Sequence, residues 1–182
     1  MQATLIPGDS PAAAENPRVR IVSLMMTPRQ VASLIDAHAA ALRLYARQWT
    51  VAPDDAVQEA FGRLMTTTPD DPVAWLYRVT RNAAIDAGTA ESRRKRREQV
   101  AAKPERWFAE AARDGLDAAT AVAALEALPA ELREVIVARL WGGLTLDQIA
   151  VASGCSVSTA HRRYEAGVAA LRERLGVACP KM

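Results

Sequence analysis

LTLDQIAVASGCSVSTAHRRYEAGVAALRERL, residues 144–175, is the stretch whose reading decides the fold. Thr145 to Gln148 has the form of a capping box, in which the threonine hydroxyl caps a helix and the side chain three residues on reaches back. A short helix starts there. Ser153–Gly154–Cys155 ends it, because glycine takes the left-handed conformation that closes a helix. Ser156 then caps a longer helix with an apolar stripe of Val157, Ala160, Tyr164, Val168, Leu171 and Leu175, in steps of three and four. Short helix, turn and longer helix make a helix-turn-helix. Ala150 is small where the two helices approach, and Ile149 and Val157 are expected to fill the angle between them. Ser158, Thr159, His161, Arg162 and Arg163 then face outward early on the second helix, where such units meet base edges and phosphates. Arginine can bond guanine bidentately, and serine and threonine serve phosphates or bases. The plain alternative is a helical hairpin with solvated arginines and a surface histidine of no special role.

Outward from this unit the helical period continues. Ala130–Trp141 reads as a helix stopped by Gly142–Gly143, Leu128–Pro129 punctuates the chain before it, and a helical unit begins near Asp117. Residues 98–117 hold Pro104 and Gly115 and have weaker periodicity, so they read as a linker, with a short helix around Trp107–Ala112. Three helices precede it. Thr27 caps and Pro28 opens the first, with Val31, Leu34, Ile35, His38, Leu42, Tyr45 and Trp49 on its inner face. Pro53 opens the second, with Val57, Phe61, Leu64 and Met65 together. After a polar loop, Thr66–Asp71, Asp71 and Pro72 start the third, whose inner face is Val73, Leu76, Val79, Ala83 and Ala87. Gly88 is expected to interrupt or weaken it before the basic run Arg93–Arg97. Residues 1–26, broken by Pro7, Gly8, Pro11 and Pro17, read as a disordered arm, and 178–182 as a tail. No strand pattern or repeat appears. The expectation is an all-α chain of two small helical domains, 27–97 and 118–177, joined by a flexible linker.

Composition sets the bounds. The 182 residues are half hydrophobic and 24% charged, a globular composition, with a net charge of only +2. The charge is unevenly spread: residues 72–98 carry seven basic and three acidic side chains, a local +4 that suits a polyanion on one surface. Within that segment Arg78, Arg81, Asn82 and Asp86 fall on steps of three or four and can share a polar face, near Trp75 and Tyr77 and upstream of Arg93, Arg94 and Arg97. Rings that stack on bases beside arginines that hold phosphates suit an unstacked single strand. A solvated helix with Trp75 in the core is the bland reading. Cys155 and Cys179 form no metal-ligand pattern and suit a reducing cytoplasm. No apolar run approaches the ~20 residues of a membrane span, and Ile21–Met26 is too short and too far in for a signal peptide. With no glycine-rich phosphate loop, no metal constellation and two histidines far apart, neither an enzyme nor a cofactor is expected.

Three of these segments together resemble a known family. Asp54–Phe61 resembles the polymerase-binding motif of sigma factors, Trp75–Asp86 their promoter-melting helix, and Leu128–Leu175 their second DNA-binding domain. The resemblance runs in order over about residues 28–175. With no further domain, it points to the extracytoplasmic-function (ECF) group of the sigma-70 family. It implies core RNA polymerase and promoter DNA as partners, with an anti-sigma factor as a candidate inhibitor. It also implies that Asp55, Gln58 and Phe61 meet the clamp helices of the polymerase's largest subunit. Asn82, with Arg78, Arg81, Asp86, Arg93, Arg94 and Arg97, falls to the minus-ten element, and Thr66–Asp71 matches the loop that captures a flipped-out base. Ser158, Thr159, His161, Arg162 and Arg163 fall to the minus-thirty-five element. Three features depart from the family pattern. Gln148 replaces the usual glutamate, Ala166 and Val168 stand where basic residues are common, and the capture loop is acidic and lacks aromatics. A competing reading is a stand-alone helix-turn-helix regulator that dimerises on an operator. It accounts for 144–175 but leaves 54–61 and 75–97 idle.

Overall fold

The computed structural model describes residues 26–98 and 118–176. The arm before Met26, the linker after Glu98 with its short helix, and the tail lie outside the described residues. Within them there are seven helices: α1 Pro28–Ala46, α2 Pro53–Leu64, α3 Pro72–Glu98, α4 Ala118–Glu126, α5 Ala130–Leu140, α6 Leu146–Ser153 and α7 Val157–Leu175.

Their ends follow local chemistry. Thr27 and Gln30 form a capping box at α1, with Gln30 Oε1 accepting from the Thr27 amide at 2.8 Å. Asp71 Oδ1 accepts from the Ala74 amide at 2.9 Å and so caps α3. Such caps are worth about 1 kcal/mol each. Asp54 and Asp55 stand in the first turn of α2, where negative charge opposes the positive end of the helix. Thr145 and Gln148 box the start of α6, Gly154 closes it at φ +64°, and the Ser156 hydroxyl caps α7.

Helices α1, α2 and α3 pack on one another around Leu42, Tyr45, Val57, Ala60, Phe61, Leu64, Leu76 and Val79, all buried. Helices α4 to α7 enclose Leu125, Leu128, Val135, Ile136, Val137, Leu144, Ile149 and Ala160. The two cores are continuous, because α5 packs on α1, and α6 lies along α3.

The packing corrects several expectations. More of α3 is inside than one stripe: Ala74, Tyr77, Thr80 and Ala84 are buried, Ala84 against Ala46 and Ala56 of its own domain, while Ala83 is only half-buried and Ala87 exposed. Periodicity finds only part of the inner face; Arg81 reads as surface because its partner, Glu134, lies in the other domain. Gly88 does not break α3. It sits against the chain after α1, where a Cβ would overlap the Trp49 carbonyl oxygen, so the glycine permits close approach. Val157 does not fill the angle of the helix-turn-helix but stands 44% exposed, and Ile35 is also exposed. Gly167 does the inward work on α7, passing so close to Ile136 that a Cβ would lie 2.9 Å from its Cγ1.

Candidate polymerase and nucleic-acid interface

The helix-turn-helix presents the early part of α7 as expected. Ser158, His161 and Arg162 are exposed, and Thr159 and Arg163 half-buried. Ser156 Oγ accepts from the Thr159 amide at 3.1 Å and lies 3.0 Å from Ser158 Oγ and 2.8 Å from Thr159 Oγ1. Three hydroxyls thus cluster at the end of a helix whose unpaired amides favour anions. His161 Nδ1 lies 3.3 Å from Glu165 Oε2, and no acidic residue occupies the first turn. Ala166 is exposed and Val168 half-buried, so the apolar departure at 168 belongs to the packing side.

The polar face of α3 is divided by the fold. Arg78, Asn82 and Asp86 are exposed in one line. Arg81 is turned away from them. Its Nε donates to Glu134 Oε1 at 2.8 Å, and its guanidinium stands 5.5 Å over the Trp49 ring. Burial opposes its charge, but the hydrogen bond and charge of Glu134 prevail and hold the guanidinium above its ordinary range.

Further along α3, Arg93, Arg94 and Arg97 are exposed, and Arg97 Nε donates to the Arg93 carbonyl at 3.3 Å. Lys95 instead pairs with Glu91 at 2.7 Å. Arg93 and Arg96, with Thr89, Ser92, Gln48 and Trp49, line an open groove of about 450 Å³. No local pattern points to Trp49 and Gln48 here, because they come from the chain after α1 and meet α3 only in the fold. Asp55 and Gln58 are exposed on α2, whereas Phe61 is buried in the first domain's core at 8% exposure. In the loop before α3, Asp71 Oδ2 accepts from Gln148 Nε2 of α6 at 2.9 Å.

Sequence reasoning also missed Glu134. It lies on α5, 3% exposed, and its carboxylate takes hydrogen bonds from Arg81, from Tyr45 Oη at 2.8 Å and from Ser153 Oγ at 2.6 Å. Tyr45 is held far above the ordinary tyrosine range, first by burial and then by the adjacent Glu134 charge. A glutamate in an amphipathic helix ordinarily marks the wet side, so nothing local flags this one.

Two helical units, one a helix-turn-helix and the other offering a basic, amide-bearing helix face, suit a protein that handles DNA. Comparison with known proteins makes this specific. Residues 34–98 match sigma-70 region 2 and residues 120–171 match sigma-70 region 4. The chain belongs to the sigma-70 family of transcription initiation factors, and its make-up of these two regions is that of the ECF group. Among solved structures it is similar to the sigma factor RpoE in complex with the anti-sigma factor NepR from Bartonella quintana. That match has a TM-score of 0.58 at 23% identity, over 81% of this chain and 97% of that one. It is also similar to CnrH in complex with the cytosolic domain of CnrY, with a TM-score of 0.57 at 26% identity, over 88% of this chain and 96% of that one. No curated protein matches the sequence. No helix among the described residues is long and apolar enough to cross a membrane.

Proposed function

We propose a division of labour among three faces of this sigma factor. Asp55 and Gln58 on α2 dock on core RNA polymerase, with Phe61 shaping the helix from inside. Arg78, Asn82 and Asp86 on α3 hold the minus-ten strand, and Arg93, Arg94 and Arg97 grip its phosphates. Arg81 joins them once released from Glu134. Ser158, Thr159, His161, Arg162 and Arg163 on α7 read the minus-thirty-five duplex. The domains that do this are 27–97 and 118–177.

The exposed line Arg78–Asn82–Asp86, beside a groove holding Trp49 and two arginines, carries this reading. Unpairing costs a few kcal/mol per flipped base. Stacking on an aromatic ring returns about 1–3 kcal/mol per base, and arginines neutralise the strand. A protein that reads only closed duplex has no use for such a surface. The Asn82 amide both donates and accepts, so it can bond an exposed base edge. The chain itself does no catalysis on this reading; it works in the cytoplasm, where polymerase and DNA are. One of the similar solved structures, RpoE with NepR, holds an anti-sigma factor, which supports an anti-sigma factor as the inhibitor of this chain too.

The test is holoenzyme carrying Asn82→Ala. It should bind promoter duplex as wild type does but open it poorly, seen as weaker permanganate reactivity of the minus-ten thymines. A pre-melted bubble should recover part of the lost transcription. Normal opening by the variant refutes the role given to α3.

A further inference from the structure

The exposed side of α3 does not end at Asp86. Arg78, Asn82, Ile85, Thr89, Ser92 and Arg96 follow one another in steps of three and four, so one side of the helix runs on toward its C-terminus. There it meets the open groove of about 450 Å³ whose other wall is Gln48 and Trp49. Small-molecule sites are of this size, roughly 300–1,000 Å³.

The lining has three kinds of group. Arg93 and Arg96 are exposed, and neither forms an ion pair among the described residues, whereas Lys95 between them is paired with Glu91. Trp49 and Ile85 are half-buried and supply apolar surface, and the Trp49 ring is braced by Tyr45, with centroids 5.1 Å apart in an edge-on contact. Gln48 is 8% exposed; its Nε2 donates to the Tyr45 carbonyl at 3.2 Å, while its Oε1 is buried with no hydrogen-bond partner. A buried acceptor without a donor is uncommon and unfavourable. The last torsion of the amide is soft, so this oxygen can turn to a donor lodged in the groove. A flipped base offers N–H donors on its pairing edge. Cations for phosphate, a braced ring and an orphan acceptor together complement a nucleotide rather than a bare anion. The loop Thr66–Asp71 has none of these. It holds no ring, it carries Asp70 and Asp71, whose charge repels phosphate, and the Asp71 carboxylate is engaged by the Ala74 amide and the Gln148 side chain.

We propose that this chain captures an unpaired base in the groove of Gln48, Trp49, Ile85, Ser92 and Arg96 rather than in the loop before α3. The base lies against Trp49 and Ile85 with its pairing edge toward Gln48, and Arg93 and Arg96 hold the phosphates beside it. The assignment rests on the sigma reading above. Thr89 to Arg96 lie roughly 10–20 Å beyond Asn82 along the helix, at 1.5 Å per residue. At about 3.4 Å per stacked nucleotide, the captured base is within about six of the one that Asn82 bonds.

Binding of holoenzyme to a promoter bubble, followed by fluorescence anisotropy, tests this when the nucleotides of the unpaired strand are made abasic one at a time. An abasic site keeps the phosphate and removes the base. The Asn82 position is the one whose loss costs nothing further in Asn82→Ala. In wild type, a second position within about six nucleotides of it should weaken binding roughly ten-fold when its base is removed, as loss of one stacked base would. Ser92→Tyr fills the groove from an exposed site. It should bind the intact bubble as weakly as wild type binds the abasic one, and lose nothing more from that abasic site, with helical circular dichroism kept. Thr89→Tyr, one turn away and also exposed, decides the matter if Ser92→Tyr loses helicity. Arg96→Ala should weaken all bubbles alike and keep the abasic penalty. A wild-type scan without the second position, or a penalty that the plugged groove leaves intact, overturns the proposal. Free deoxynucleoside monophosphates that displace the bubble at micromolar concentration would make the groove an effector site and overturn its assignment to the strand. Wild-type holoenzyme that binds bubble no better than duplex overturns the sigma reading of α3; where that preference holds, the abasic scan judges the groove alone.

Discussion

Replacing Gly88 with alanine should destabilise the protein, although alanine is the better helix former. Gly88 lies inside α3, where propensity alone favours alanine by about 1 kcal/mol. The added methyl, however, would overlap the Trp49 carbonyl oxygen and lie 3.1 Å from its carbonyl carbon. Ordinary carbon–carbon contact is about 3.5–4.0 Å, so α3 and the chain after α1 must part by at least ~0.5 Å, and by more at the oxygen. Both sides of the clash are backbone, so no rotamer change relieves it. Overpacking of this kind costs about 1–3 kcal/mol or more, and it outweighs the propensity gain. Net loss should be about 1–2 kcal/mol, or a fall in Tm of roughly 2–8 °C for a chain of this size. Gly62 on α2 supplies the control, since a Cβ there meets nothing within 4 Å. Gly62→Ala should gain about 0.5–1 kcal/mol and raise Tm by ~2–3 °C. Thermal and urea melts of both variants by circular dichroism read the two signs. A Gly88→Ala protein as stable as wild type would refute the close approach of α3 to Trp49.

Three further outcomes are expected. Gln58→Ala should weaken capture of core polymerase in a pull-down titration with no change in Tm, because Gln58 is exposed; unchanged affinity would remove it from the docking face. Arg162→Ala and Arg163→Ala, assayed separately on minus-thirty-five duplexes by fluorescence anisotropy, should each cost about 1–3 kcal/mol where a base is read and act alike on all sequences where a phosphate is gripped. If neither variant alters binding, α7 does not read the duplex. Burial holds His38 below its ordinary pKa, beside the edge of Tyr77 at 6.5 Å between ring centroids. The unfolded chain therefore takes up a proton first, so the stability from neutral His38 is present above about pH 6.5 and lost as pH falls through the lower folded value. Tm should drop more between pH 7.5 and 5.5 in wild type than in His38→Gln, and equal drops would exclude the effect.

What the sequence determined by itself is local. Thr27, Asp71, Thr145 and Ser156 start helices because a side-chain oxygen satisfies amides within three residues, and Gly154 ends one because it alone takes a positive φ without strain. The exposed Ser158, His161 and Arg162 follow from one helix and its cap, and the line Arg78–Asn82–Asp86 follows from the helical period. Tertiary structure decided the rest. Arg81 reads as a surface residue until Glu134 of the second domain meets it, and Glu134 reads as a solvated helix charge until three donors arrive from other elements. Phe61 reads both as an inward-facing side chain and as a contact for polymerase, and packing settles it inside. Gly88 reads as a helix breaker until the Trp49 carbonyl occupies the space a side chain would need. In each case the deciding partner is distant in the chain, and a residue's own neighbours carry no record of what will be packed against it.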